Sequence, residues 1–588
     1  MLLDNSQTKY KYFVFFLIPI IFGLWSLLLG QDRNFDLANY HLYNAFSFLN
    51  DKFDSDFAVA SYQTYQNPIL DLLYFFLIQH TPPQFTSFLM GWIHGLVFII
   101  LFIICSKIIK ENSLNKSLFL AISGCLTANF LSGIGNTMGD NTTAILTTLS
   151  IAIIILRWDE LNENRLSVYS YPLIFSGLLM GVATGLKLTN ASFALALGLS
   201  ILTVKSNRIS KNLIYSLSAL SGLLLVSGFW YFKIWGAFRN PIFPMYSNLF
   251  PNTFMDHNPF ANEDSLLGPQ NFIELILWPY ISSIEYQRIG RGLIHQIYWP
   301  IIYTLAIFLL YKKLLKKKMT KPFKEKEIFI SCFVFASYLI WLTIFTTQRY
   351  LVTAEVFLPM LIYIYISKIY PQEKTWVFSK RLIIISALVV LIGGFGSYGH
   401  SSFTSPPFQA KLPKIENPSK VIILMTDKTP LGWLVTLFPK NISFIRLDVY
   451  QNTNLAIKKI KQTRDGKVYA IFGLPYQWRI TNVKKWDGIL DLLGLKNNIN
   501  KCRSLDEFIK KVNFRGQIKY TYKNSCSLVI KDSDVIDEEL LYATAISEAE
   551  KTLYRYGYNL DISSCKPYEG SIGSEVWKYM WCETHITK

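Results

Sequence analysis

Beyond residue 399 the chain holds no glycine-rich GxGxxG or GxxxxGK[ST] stretch, so that region offers no ordinary nucleotide cradle. No CxxC pair and no HExxH run occurs anywhere, and His257 and His295 stand alone, so the usual zinc and dithiol spacings are absent. Acidic residues are scarce, 40 against 58 lysines and arginines, yet no basic patch interleaved with aromatics marks a nucleic-acid surface. No internal repeat is apparent, which argues against repeat-built transporters.

What the chain has is apolar length. Of its 588 residues, 51% are hydrophobic and 15% aromatic, a composition suited to lipid. Apolar windows predict about eleven membrane spans, near residues 13–29, 85–105, 117–133, 141–156, 171–187, 191–204, 213–232, 296–311, 328–346, 353–367 and 382–398. Residues 69–79 are apolar but too short to cross, and are expected to lie on the surface or re-enter. The glycine runs at 133–135 and 393–396 sit at span ends, where glycine serves packing or termination. The predicted class is an α-helical polytopic membrane protein, with residues 1–398 as the membrane domain and 399–588 as an extracytoplasmic α/β domain.

Charge gives the expected orientation. Lysines and arginines crowd the loops that share a side with the N-terminus, above all the 312–326 cluster, whereas residues 31–84 carry only Arg33 and Lys52 against six aspartates. Positive residues stay inside. The loops 31–84 and 233–295 and everything after about 399 then face outward, and the first span is read as a retained anchor. Cys105, Cys125 and Cys332 fall in apolar spans. Cys502, Cys526, Cys565 and Cys582 fall in the outward domain, where an even count predicts two disulfides. Sequence neighbours suggest Cys502–Cys526 and Cys565–Cys582, with three pairings open. In that domain, strand-like runs at 421–424 and 468–472 alternate with a helical pattern at 454–463, before a helix near 534–556 and a two-strand region bracketed by Cys565 and Cys582.

Polar clusters concentrate at outward span ends. Asp36, Tyr40 and His41 come just after the first span; on a helix positions 36 and 40 share a face, and a carboxylate beside an imidazole can take a hydroxyl proton. The competing role for Asp36 is a helix cap. Asn67-Pro68 with Asp71 reads as a turn. Asp140, in Gly135-Asn136-Thr137-Met138-Gly139-Asp140, caps a helix or orients a sugar hydroxyl or cation. Lys187 snorkels or meets a lipid phosphate. Arg349 suits phosphate, or pairs with Glu355. The long outer loop contributes Asn240, Arg288 and Arg291 and has the proline punctuation of a lid. Asp54-Ser55-Asp56 is formally DxD, but its acidic surroundings favour solvation. A divalent cation would sit near Asp36 or Asp140, though no paired ligand set argues for one.

Taken in order, these motifs resemble the GT-C superfamily of polytopic glycosyltransferases. The run Phe35-Asp36-Leu37-Ala38-Asn39-Tyr40-His41 is similar to the protein-O-mannosyltransferase signature F-D-E-x-H-[FY], with Leu37 where glutamate is usual and the histidine shifted. The chain looks still more like a group of bacterial membrane proteins sharing D-x-x-N-Y-H-x-Y-N, N-P-x-x-D, G-N-T-M-G-D, K-x-T-N, N-P-x-F-P and R-Y-L. Here these are Asp36 to Asn44, Asn67 to Asp71, Gly135 to Asp140, Lys187 to Asn190, Asn240 to Pro244 and Arg349 to Leu351. The resemblance covers roughly residues 13–398 and implies a bacterial inner membrane, a polyprenyl-phosphate sugar donor and a glycan, lipid or protein acceptor.

The expected chemistry is sugar transfer with Asp36 as general base and His41 and Tyr40 orienting it. Lys187 and Arg349 would stabilise the departing lipid phosphate, with Arg288 or Arg291 as substitutes. A transporter or flippase of lipid-linked glycans is the rival, disfavoured because few polar groups fall at span midplanes. An oligosaccharide ligase or polymerase, resting on Arg288, Arg291 and His295, is the third reading.

Overall fold

The computed structural model describes residues 5–109, 114–162, 170–246, 249–250, 267–447 except 291, 293 and 318, then 456–457, 460, 466–474, 483, 486–491, 493–511, 516–521, 524–531 and 537–587. Each of the apolar windows falls on helix. Four helices are long and apolar enough to cross a membrane by length and composition: Pro83–Ile108, Arg208–Phe238, Glu325–Ile344 and Gln372–Gly394. A fifth candidate is the pair Gln348–Glu355 and Leu358–Ile369, bent by 56°. Other windows fall on shorter helices, such as Tyr171–Leu186 with 16 residues. At ~1.5 Å per residue such a helix is about 24 Å long, short of a straight crossing. Of the expected eleven spans, length and composition support four or five among the described residues.

Small residues set how closely these helices approach. On Tyr171–Leu186, Gly177, Gly181 and Gly185 face Arg208–Phe238. A Cβ at Gly181 would overlap the Ala219 carbonyl, and one at Gly185 the Ser227 hydroxyl. Spacing of four puts the three glycines on one stripe, so the two backbones pack directly.

After residue 399 the chain forms a domain around a seven-stranded mixed sheet. Its strands are β1 (Phe408–Ala410), β2 (Val421–Met425), β3 (Ser443–Arg446), β4 (Lys467–Gly473), β5 (Tyr558–Leu560), β6 (Lys566–Ile572) and β7 (Glu575–Ile586). The order is β1-β6-β7-β4-β2-β3, with β5 also on β7. β2 runs parallel to both β3 and β4, and β7 runs antiparallel to β4 and β6. All five residues of β2 are buried, as a strand covered on both faces requires. The helix expected at 534–556 runs Glu538–Arg555. The helical pattern at 454–463 lies largely outside the described residues. Both disulfides, Cys502–Cys526 and Cys565–Cys582, are present.

This domain is bound to the first outer loop. Gln31 and Asp32 pair antiparallel with Ser401 and His400. Phe57 extends the β3 edge, donating to Phe444 O at 2.8 Å and accepting from Arg446 N at 2.9 Å. Leu37, Ala38, Leu42 and Tyr43 share one core with Trp433, Leu434, Ile471 and Tyr579. The expectation that Asp56 is solvated is incorrect. Its carboxylate is buried, pairs with Lys52 at 2.9 Å, and accepts from Tyr43 Oη at 2.9 Å and Phe444 N at 3.1 Å.

Candidate active site

Asp36 leads into a single π-helical turn, Leu37–His41, which continues as the helix Leu42–Leu49. In a π turn the backbone bonds run from i to i+5, so His41 lies one turn after Asp36 on the same face. Such widened turns cluster at functional sites, and the apolar pattern of the sequence carries no sign of one.

The loop Gly135–Asp140 holds the next carboxylate. Gly135 (φ +73°) and Gly139 (φ +82°) both take the left-handed backbone, and a Cβ at either would collide, with Ser26 and Leu70 respectively. Between them, Thr137 donates its N–H (2.8 Å) and hydroxyl (2.9 Å) to Asp32, which ties this loop to the first one. Asp140 then opens the helix Asp140–Leu156. Lys187, at the break after Tyr171–Leu186, reaches Asp140 at 2.6 Å and donates to Met138 O at 2.5 Å.

Arg349, on the short turn Gln348–Leu351, completes the group. Its Nη1 is 2.9 Å from Asp36 Oδ2 and its Nε 3.9 Å from Asp140 Oδ2. Arg349 and Lys187 lie 5.2 and 5.4 Å from the centre of the Tyr350 ring, within cation–π range. Burial acts to raise the Asp36 carboxyl, but the charges of Arg349, His41 and Lys187 outweigh it and hold the group below the ordinary carboxylate range. Asp36 and Arg349 form a close ion pair through Nη1, while Arg349 Nε is left without a hydrogen bond. His41 Nδ1 meets Asp71 Oδ1 at 2.6 Å, while His41 Nε2 has no hydrogen-bond partner.

His41, Asp71, Lys187 and Arg349 border one cavity of roughly 140 Å³, and Asp36 and Asp140 stand outside its lining, paired to Arg349 and Lys187. Its charged end presents His41, Asp71, Lys187 and Arg349 with Tyr40 and Tyr350. Its other end is aromatic, with Tyr62, Tyr65, Trp230, Tyr231 and Phe243. The arrangement can neutralise an anion with two fixed cations and take up a proton a few ångströms away.

Of the residues expected from sequence, the structure gathers Asp36, Tyr40, His41, Asp140, Lys187 and Arg349. Asn67 also lines the cavity, but its amide is spent on the Gly185 (3.0 Å) and Val226 (3.4 Å) carbonyls. Asn240 is buried in its own turn, accepting from Ile242 N and donating to Met245 O, which shapes the Pro241–Met245 wall. Arg288 is paired with Glu274 and Glu285, away from the cavity lining. Arg291 lies outside the described residues. Glu355 does not pair with Arg349. It accepts from Gln296 (2.5 Å), Trp299 (3.0 Å) and Gln348 (3.3 Å) instead. Asp71 and Tyr350 belong to the site although sequence reasoning gave neither a role. Among the described residues, no three histidines, cysteines or carboxylates gather as a metal site would require.

No family model matches the sequence, and no curated protein matches it. Several solved structures are similar, among them the following three. One is ArnT from Cupriavidus metallidurans bound to undecaprenyl phosphate, at TM-score 0.41 and 11% identity over 64% of this chain and 63% of that one. The others are the oligosaccharyltransferase AglB from Archaeoglobus fulgidus with an inhibitory peptide and a dolichol-phosphate (0.42, 10%, covering 94% and 79%) and the Archaeoglobus fulgidus enzyme tethered to an acceptor peptide (0.44, 9%, covering 94% and 80%). The chain thus spans under two thirds of ArnT. Likeness at this level carries no functional argument.

Proposed function

We propose that this protein is a membrane glycosyltransferase, moving a sugar from a polyprenyl-phosphate donor to a hydroxyl acceptor on the outer side of a bacterial inner membrane. The observation that carries the reading is the convergence of Arg349, Lys187 and His41 on one cavity, with Asp36 paired to Arg349 just outside its lining. A phosphate at the charged end competes with Asp36 for the Arg349 guanidinium, which binds phosphate bidentately. Once Arg349 turns to the phosphate, Asp36 is left as a buried anion able to accept a proton. The acceptor oxygen then attacks the anomeric carbon and its proton passes to Asp36. The bond from that carbon to the phosphate oxygen breaks, and the electron pair leaves on a phosphate held by Arg349 and Lys187. The aromatic end offers faces for the sugar or the first isoprene units.

The ligase reading has less support, because Arg288 is occupied by Glu274 and Glu285. The test is turnover of a radiolabelled undecaprenyl-phosphate hexose by purified protein, comparing wild type with Asp36→Asn. Loss of turnover with donor binding kept is expected. Unchanged turnover removes Asp36 as base, and lipid movement across vesicles without turnover points to a transporter.

A further inference from the structure

Asp71 has no part in the chemistry described so far, yet it is the shortest contact His41 makes. The two side chains meet at 2.6 Å, and both residues are more than nine-tenths buried. They come from different elements, His41 from the π turn and Asp71 from the first turn of Ile69–His80. The bond commits Nδ1 to the carboxylate and leaves Nε2 as the nitrogen with no partner. His41 and Asp71 line the main cavity on one side. On the other side they border a second cavity of roughly 20 Å³, shared with Tyr74, Thr137 and Thr142. That is room for about one water among polar groups.

We infer that His41 and Asp71 form a proton relay that resets Asp36 after each transfer, with Asp71 as the positioning residue that engages Nδ1 and leaves His41 Nε2 open to accept the proton. This rests on the sugar-transfer reading above. The need for it follows from the Asp36–Arg349 pair. Transfer leaves the acceptor's proton on Asp36. When the phosphate product departs, Arg349 would return to a neutral Asp36 and keep only Asp140, farther away at 3.9 Å and shared with Lys187, as counter-charge, which is disfavoured for a buried guanidinium. Asp36 must therefore shed its proton inside a buried site. His41 follows it by one π turn. The proton passes from the Asp36 carboxyl to His41 Nε2, giving an imidazolium whose Nδ1–H faces the Asp71 carboxylate. Nε2 then releases it to water and the neutral tautomer returns. No atom is gained or lost by the pair over the cycle.

The inference separates the first turnover from later ones. Rapid-quench kinetics with an undecaprenyl-phosphate hexose would compare wild type, Asp71→Asn and His41→Gln, each checked for folding by thermal unfolding. The first turnover of Asp71→Asn is expected within about threefold of wild type. Steady-state turnover is expected to fall by about a hundredfold, so that a burst of one product per protein appears. His41→Gln, which removes the relay group itself, is expected to lose steady-state turnover at least as far. An equal slowing of both phases, or of neither, overturns the relay. A second readout does not depend on turnover: nitrogen NMR of histidine-labelled protein. In wild type at neutral pH, His41 is expected as the tautomer with Nδ1 protonated and Nε2 bare, and Asp71→Asn should mix the tautomers. A His41 with Nε2 already protonated overturns the relay even if wild type turns over no donor, an outcome that by itself would instead remove the glycosyltransferase reading.

Discussion

Arg446, at the end of β3, reaches Asn39 in the π turn: its Nη1 lies 3.5 Å from the Asn39 Oδ1 and 2.9 Å from the Val59 carbonyl. Its Nη2 donates to the carbonyls of Asp427 (2.7 Å) and Thr429 (3.2 Å). The same face is closed by Gly432, where a Cβ would overlap the Asn39 carbonyl. One guanidinium therefore couples the outer sheet to the turn that carries Tyr40 and His41. Replacing Arg446 with Met strands these carbonyls, and a loss of roughly 3–5 kcal/mol is expected, by analogy with a broken buried pair. Thermal unfolding and donor turnover should fall together. Normal turnover in a destabilised Arg446→Met would mean that the outer domain does not hold the turn.

Asp427 gives the outer domain a pH dependence. Burial pushes its carboxyl up to about 6, against the opposing hydrogen bonds from Thr429 and Gly473 and the charge of Arg446. In the unfolded chain an aspartate titrates near ~3.9. The folded state thus holds the proton more tightly, so stability is highest below about pH 4, falls as pH rises to about 6 and then levels. The expected loss across that window is at most about 3 kcal/mol. Asp427→Asn keeps a carbonyl oxygen for the Thr429 and Gly473 N–H groups and should flatten this part of the curve. Denaturant midpoints from pH 4 to 7 would read it, and an unchanged slope rules Asp427 out as the source.

Gly139 sets the position of Asp140 and, through it, Lys187. Gly139→Ala places a side chain on a left-handed backbone and into Leu70. A cost of about 1–3 kcal/mol is expected, with weaker donor binding because Asp140 shifts. The measurement is the unfolding midpoint beside the donor KM. Gly488→Ala, where a Cβ meets nothing within 4 Å, serves as the control.

Arg349→Ala should lower donor turnover by about 10²–10³-fold, the usual loss for one preorganised donor to a developing anion. Arg349→Lys should recover only part of it, since a lysine offers a point charge in place of a planar fork. Lys187→Met should act more on KM, because its ammonium is partly occupied by Asp140 and the Met138 carbonyl. Equal effects of Arg349→Ala and Lys187→Met on kcat would contradict this division.

Much of the site was legible because charged residues at the ends of apolar runs are costly and few. Asp36, His41, Asp140, Lys187 and Arg349 could be found that way without knowing how they meet. Partnership was not legible. His41 and Asp71 are 30 positions apart on two helices, and Arg349 chooses Asp36 and Asp140 over Glu355, six residues away. Asn240 shows the reverse error: an Asn-Pro pair makes a local turn, and that turn chemistry consumes its amide. Helix positions followed the apolar windows, whereas length and composition among the described residues support only four or five crossings, because several helices are short or break midway. The mixed sheet was the least visible part, since β7 pairs antiparallel with strands from two different stretches of the chain.

Phe57 and Asp56 bond to strand residues 388 positions later, so the sheet's edge is assembled from the beginning and the end of the chain. During synthesis, at the usual 5–20 residues per second, the first loop must wait roughly 20–80 seconds for its counterpart. Over that interval a buried aspartate, a lysine and an aromatic edge stand open to other partners. Folding of this protein therefore has a long vulnerable period, and chaperones that shield the emerging loop should raise its yield more than agents that favour helix formation.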